Sequence, residues 1–128
     1  MKVVIVGAST NPVRYAYLAA EMLNQYQYDF VPVGIKKGEV FGQTILDIRA
    51  HPMVEDVDTI TMYINPVHQQ DYYDYFFALN PKRFVFNPGT ENSELEDMAK
   101  ERGIVTQNAC TLVMLRLGNF NDYLEVNQ

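Results

Sequence analysis

Apolar and β-branched residues gather in short runs without alternation at Val3–Val6, within Asp29–Gly34 (DFVPVG), within Asp58–Ile64 (DTITMYI) and within Lys82–Phe86. Such runs predict strands buried on both faces of a parallel sheet, and Ile104–Thr106 predicts a short fifth one. Between them the period changes. From about Val13 to Tyr26, the positions Tyr15, Leu18, Ala19, Met22 and Tyr26 repeat at helical spacing. Between Val67 and Leu79, Tyr72, Tyr75, Phe76 and Leu79 fall at i, i+3, i+4 and i+7, with Tyr73 and Phe77 widening the stripe. Ser93-Glu94-Leu95-Glu96 has the form of a capping box, and Gly103 stands where that helix would end. A terminal helix is predicted over roughly Leu112–Leu117, a loop with a short helix (Thr44–Ala50) over Glu39–Met53, and a fraying polar tail from Asn119. The alternation predicts one α/β domain over residues 1–128. Its expected form is a doubly wound (Rossmann-like), parallel, five-stranded sheet with helices on both faces, placing ligands at the C-terminal ends of the strands.

The loops at those ends carry the candidate chemistry. After the first strand comes Gly7, then the small residues Ala8, Ser9 and Thr10, then Asn11-Pro12. Asn11 is a helix cap by type and Pro12 fits a first helical position. Strand, small-residue turn and helix start together present backbone N–H groups to an anion. The dinucleotide pattern G-x-G-x-x-G is not met, because Ser9 and Pro12 occupy its second and third glycine positions. The hydroxyls of Ser9 and Thr10 and the cation of Arg14 are alternative phosphate donors, and a plain tight turn accounts for the small residues equally. The second strand ends in Gly34-Ile35-Lys36-Lys37-Gly38. An acidic residue near that point serves a free ribose diol, whereas a basic one suits a phosphorylated ribose. Lys36 and Lys37 therefore argue against NAD and for NADP or another ligand with an extra phosphate, unless they are simply solvated.

Composition narrows the partners. Ten Lys and Arg against sixteen Asp and Glu give a net charge of −6, with no basic face for nucleic acid. No signal peptide precedes the first strand and no apolar run is long enough to span a bilayer, so the cytoplasm is the expected location. The single cysteine, Cys110, forms no internal disulfide and is either a small packing residue or a thiol activated at a helix start. His51 and His68 lack metal-ligand spacing with each other or with Cys110. No G-x-S-x-G elbow and no acid/base pair is evident, which favours a binding module over an enzyme. The aromatic excess of the Val67–Leu79 helix fits core first and a homodimer interface second.

Three segments, VGASTNPVR, VPVGIKKGEVFGQ and NPGTENSELEDMAKERGI, resemble in order and spacing the small stand-alone CoA-binding proteins. These are similar in turn to the N-terminal domain of the succinyl-CoA synthetase α-subunit. The resemblance covers about residues 2–118. It implies that Gly7, Ser9, Thr10 and Arg14, in the turn that also holds Ala8 and Asn11, lie near the CoA pyrophosphate. It puts Val33, Gly34 and Lys36 near the adenosine and its 3′-phosphate, with Asn65, Pro88, Gly89 and Cys110 along the rest of the groove. Ile35 stands where the family often has a proline, leaving either Lys36 or Lys37 to meet the phosphate. Phe86-Asn87-Pro88 replaces a segment that often carries tryptophan and glutamine. The resemblance implies a CoA or acyl-CoA ligand ahead of NADP. A small NADP-dependent oxidoreductase, or an interaction domain with an empty cleft, are the alternatives.

Overall fold

The Val3–Val6 run sits at the centre of the sheet, where nothing polar has to reach water. In the computed structural model, which describes residues 1–123, these four side chains are almost wholly buried. In chain order the elements are β1 (Lys2–Val6), α1 (Tyr15–Gln25), β2 (Asp29–Gly34), β3 (Glu39–Val40), β4 (Gln43–Thr44) and β5 (Leu46–Asp47). There follow β6 (Val57–Met62), α2 (Pro66–Gln69), α3 (Tyr73–Ala78), β7 (Arg83–Phe86), α4 (Ser93–Glu101), β8 (Val105–Asn108) and α5 (Thr111–Leu117). Single 3₁₀ turns occupy Ile48–Ala50 and Gln70–Tyr72.

The sheet is parallel throughout, in the order β5–β2–β1–β6–β7–β8. Because side chains alternate across a strand, Val3 and Ile5 face one core and Val4 and Val6 the other. On the first face α1 and α5 pack through Ala16, Ala19, Leu23, Leu112 and Leu115. On the second, Tyr75, Phe76 and Leu79 from the α3 region and Leu95 and Ala99 of α4 cover Phe84 and Phe86. The α3 aromatics are thus largely taken up by the core: Tyr75 and Phe76 are buried and Tyr72, Tyr73 and Phe77 half-buried. The direction of winding changes between β1 and β6, which makes the C-terminal ends of these two strands the switch point of the sheet.

Several boundaries differ from the sequence expectation. The sheet has six strands rather than five, because Leu46–Asp47 pairs with Val33–Gly34. The Thr44–Ala50 helix is replaced by that strand and a 3₁₀ turn. Ahead of it β3 and β4 form a hairpin whose two central residues, Phe41 (φ 48°) and Gly42 (φ 83°), are both left-handed. That is the turn whose twist matches a two-residue hairpin. Asn11-Pro12 does not start α1. Ser9 Oγ accepts from the Asn11 N–H (3.0 Å), Asn11 Oδ1 from the Val13 N–H (3.1 Å), and the Asn11 carbonyl from the Arg14 N–H (3.0 Å). These bonds close a separate turn, and the helix begins only at Tyr15. Asn65-Pro66 is the pair that acts as cap and first helical position, with Asn65 Oδ1 accepting from His68 N–H at 3.0 Å. The Val67–Leu79 helix is broken into α2, a 3₁₀ turn and α3. Gln69 lies fully buried there, donating to the carbonyls of Ile64 and Thr90 (both 2.9 Å). Asn92, not Ser93, caps α4, and Glu96 pairs with Lys100 instead of reaching back.

The tail expected to fray from Asn119 is packed as far as Tyr123; residues 124–128 lie outside the described part. Phe120 and Tyr123 are both buried, and the reason lies in β7. Arg83 is completely buried, donating from Nε to Thr59 Oγ1 (2.9 Å) and from Nη1 to Gln107 Oε1 (2.9 Å) and the Phe120 carbonyl (2.7 Å). The rings of Phe120 and Tyr123 cover its guanidinium at 4.3 and 3.9 Å. Tyr123 also donates to the buried Asp58 at 2.6 Å. A buried charge is tolerated only when paired and hydrogen-bonded, and this segment supplies much of that pairing.

Candidate cofactor-binding cleft

A cleft of about 510 Å³ opens over the switch point, within the size range of small-molecule sites. Its floor is the turn after β1. Gly7 and Ala8 both donate their N–H to the Val33 carbonyl (2.8 and 3.1 Å), which ties the turn to β2. Gly7 has φ +97°, and a Cβ there would stand 2.9 Å from Ile64 Cγ2 and 3.1 Å from the Tyr63 carbonyl carbon. Only glycine fits both constraints. The Gly7 and Ala8 amides are therefore already bonded. Among the described residues the N–H groups of Ser9 and Thr10 have no such partner.

Three features give the cleft a positive character. No side chain caps the N-terminus of α1, and Tyr15 and Ala16 in its first turn form part of the wall. Uncapped first-turn N–H groups and the helix dipole favour an anion there. Arg14 and Lys36 also line the cleft, and among the described residues neither has an acidic partner. Two unpaired cations facing one cavity, in a chain of net charge −6, fit a phosphate-bearing ligand. A third basic group, His68, stands in the wall on α2, with Asp71 as the single carboxylate.

Of the residues expected at the site, Gly7, Ala8, Ser9, Arg14, Gly34, Lys36 and Pro88 line this cleft. The others do not. Thr10 turns its methyl toward Gly38, where a Cβ would stand 2.6 Å from it. Asn11 closes its own turn and Asn65 caps α2. Lys37 and Gly89 are exposed outside the wall, and Val33 is buried in β2. Cys110 is half-buried at the N-cap of α5, next to Tyr63.

The wall also contains Ile35, Ile48, Tyr63, Ile64, Tyr72 and Thr90, none of them anticipated as site residues. Tyr63 and Ile64 continue β6 past its last paired residue, so the rule that ligands sit beyond strand ends points to them. Burial pushes the Tyr63 hydroxyl's pKa well up. Its neighbours Thr61 and Thr111 instead bond each other at 2.8 Å. Asn87 fixes this side of the site, donating to Thr61 Oγ1 (2.7 Å) and the Met62 carbonyl (2.9 Å) and accepting from the Thr111 N–H (2.9 Å). It joins β6, β7 and α5, which gives the Phe86-Asn87-Pro88 segment a structural role. Among the described residues no three His, Cys, Asp or Glu gather as a metal site. No described helix is long and apolar enough to cross a membrane.

The model of a family described as "CoA binding domain" matches residues 1–116. The chain belongs to the CoA-binding domain family. Several solved structures share the fold. One, described only as an uncharacterized protein, is 53% identical, covers 93% of this chain and 97% of its own, and superposes with a TM-score of 0.89. A Thermus thermophilus protein is 26% identical, with 88% and 85% covered and a TM-score of 0.78. A hypothetical protein from Pyrococcus horikoshii OT3 is also 26% identical, with 90% and 82% covered and a TM-score of 0.73. No curated protein matches the chain.

Proposed function

We propose that this CoA-binding domain binds coenzyme A or an acyl-CoA in the cleft over β1 and β6, and that it does so without catalysing a reaction. The observation that carries the reading is the convergence of Arg14, Lys36 and the uncapped start of α1 on one cavity in a family of CoA-binding domains. The diphosphate lies against Ser9 and the first turn of α1, with Arg14 as its counter-ion. Lys36 meets the 3′-phosphate, beside Gly34. Pro88 and Tyr63 flank the pantetheine arm, while Cys110 stays behind Tyr63. Charge-assisted contacts to phosphate contribute on the order of 1.5–3 kcal/mol.

Calorimetry with CoA, dephospho-CoA, NADP and NAD tests this. CoA binds most tightly, and dephospho-CoA more weakly by the loss of the Lys36 contact. Equal affinity for CoA and dephospho-CoA removes the lysine from the site. Tighter binding of NADP than of CoA replaces the reading with a nicotinamide cofactor module. Binding of none of the four leaves an interaction domain.

A further inference from the structure

We propose that Asp71 selects adenine as the base of the bound nucleotide, accepting a hydrogen bond from its exocyclic amine. The inference rests on the CoA reading above and concerns the end of the cleft where Lys36 stands. The wall divides between the two cores of the sheet. Ala8, Ala16 and Tyr63 join the core of the first face, on the side of Arg14. Ile48, Ile64 and Tyr72 join the core of the second. Strand pairing ties this second group to Lys36. Gly34 is in register with Asp47, so Ile35 and Ile48 follow neighbouring strands at the same level, and Lys36 comes next. Tyr72 packs over the same segment, its ring 5.9 Å from that of His51. Asp71, which precedes Tyr72, completes this end of the wall. The result is an apolar slot bordered by one cation and one carboxylate.

The fold makes no use of the Asp71 carboxylate. The residue is exposed, and among the described residues it pairs with none of Arg14, Lys36 and His68. An ionised carboxylate only accepts hydrogen bonds, and it repels the phosphates that the rest of the wall attracts. The ligand group that suits it is a donor held away from every phosphate. Adenine meets both conditions. Its faces are apolar, which fits the slot of Ile35, Ile48, Ile64 and Tyr72, and its edge carries the N6 amine, a donor. That amine lies on the side of the base away from the ribose, whereas the ribose 2′-hydroxyl adjoins the 3′-phosphate and stays with Lys36. Guanine and hypoxanthine present a keto oxygen at the same position. An acceptor would then face an acceptor, so the carboxylate that favours adenine also rejects them.

The test is calorimetry of CoA and of desamino-CoA, in which hypoxanthine replaces adenine, on the wild type, Asp71→Ala and Asp71→Asn. The wild type should bind desamino-CoA about tenfold to a hundredfold more weakly than CoA, the range for one hydrogen bond to a charged group. Asp71→Ala should bind the two about equally. Asp71→Asn should lose most of the preference as well, because its amide can turn a donor toward the keto oxygen. Equal affinity of the wild type for the two ligands, or a preference for CoA undiminished in either variant, overturns the proposal. Asp71 is exposed, so both substitutions should leave the fold intact; should one variant fail to fold, the other carries the comparison. A wild type that binds neither ligand is a different result: it overturns the CoA reading and this inference with it.

Discussion

Gly34 lies directly against the backbone of Ala8: a Cβ on Gly34 would stand 3.1 Å from both the amide nitrogen and the carbonyl oxygen of Ala8. Those atoms belong to the turn that Val33 holds through its carbonyl, so they cannot yield without shifting the cleft floor. Gly34→Ala should cost about 1–3 kcal/mol of stability, in the range for forcing one extra methyl into a packed site. It should also weaken CoA binding in protein that remains folded. Urea titration followed by calorimetry measures both. A variant that matches the wild type in each would show that β2 and the turn need not touch.

Lys36 and Lys37 are neighbours in sequence but not in the cleft, since only Lys36 reaches the wall. Lys36→Ala is expected to lower CoA affinity by about tenfold to a hundredfold while leaving dephospho-CoA unaffected. Lys37→Ala should change neither. A larger loss in Lys37→Ala would transfer the phosphate contact to the second lysine.

Acid sensitivity follows from Glu96. Its hydrogen bond from Lys100, at 3.0 Å, holds the carboxyl below its ordinary pKa, and Asn108 and Thr106 add smaller contributions. A carboxylate depressed on folding stabilises the protein fully above its unfolded value, about 4.3, and loses that contribution as pH falls through the folded value. Lys100 is largely exposed, so the pair is worth roughly half a kcal/mol. Wild type should therefore exceed Glu96→Gln in urea midpoint at pH 7, and the gap should close at pH 3. A gap independent of pH would assign the effect to helix propensity.

Phe120 supplies a ring over Arg83 and a carbonyl to its Nη1. Phe120→Ala should cost about 3–5 kcal/mol, the usual range for removing a buried aromatic. Ligand affinity should persist in the folded fraction, because the cleft lies at the opposite edge of the sheet. Thermal unfolding with and without CoA separates the two effects. A melting temperature within a degree or two of wild type would mean that the tail is dispensable.

The central strands were legible because they are buried on both sides: VVIV and FVF are short apolar runs without alternation. The loops after β1 and β2 were legible for the related reason that ligands gather at such ends. What stayed hidden depends on distance in sequence or on very short elements. Leu46-Asp47 is too brief to show a period and is a strand only because Val33–Gly34 lies beside it. The break at Gln69 comes from carbonyls at Ile64 and Thr90, and helical spacing says nothing of the latter. Asn11 and Asn65 precede proline alike, yet only the second caps a helix, because the first closes a turn with Ser9 and Arg14. His68 has no metal-ligand spacing to mark it, and its place in the wall follows from the path of α2. The tail looked polar because Phe120 and Tyr123 are isolated among Asn and Asp, and their partner, Arg83, is far upstream.

That last pairing sets a timetable for the growing polypeptide. Arg83 is made before its cover and enters β7 beside Thr59, but the rings that shield it come from positions 120 and 123. Until those residues leave the ribosome, a cation in the middle of the chain has no cover and the β7–β8 side of the sheet cannot seal. Translation adds about 5–20 residues per second, so this interval lasts a few seconds. The β1–β2 half can form during that time, while the β7 half waits for the last described turn to close it.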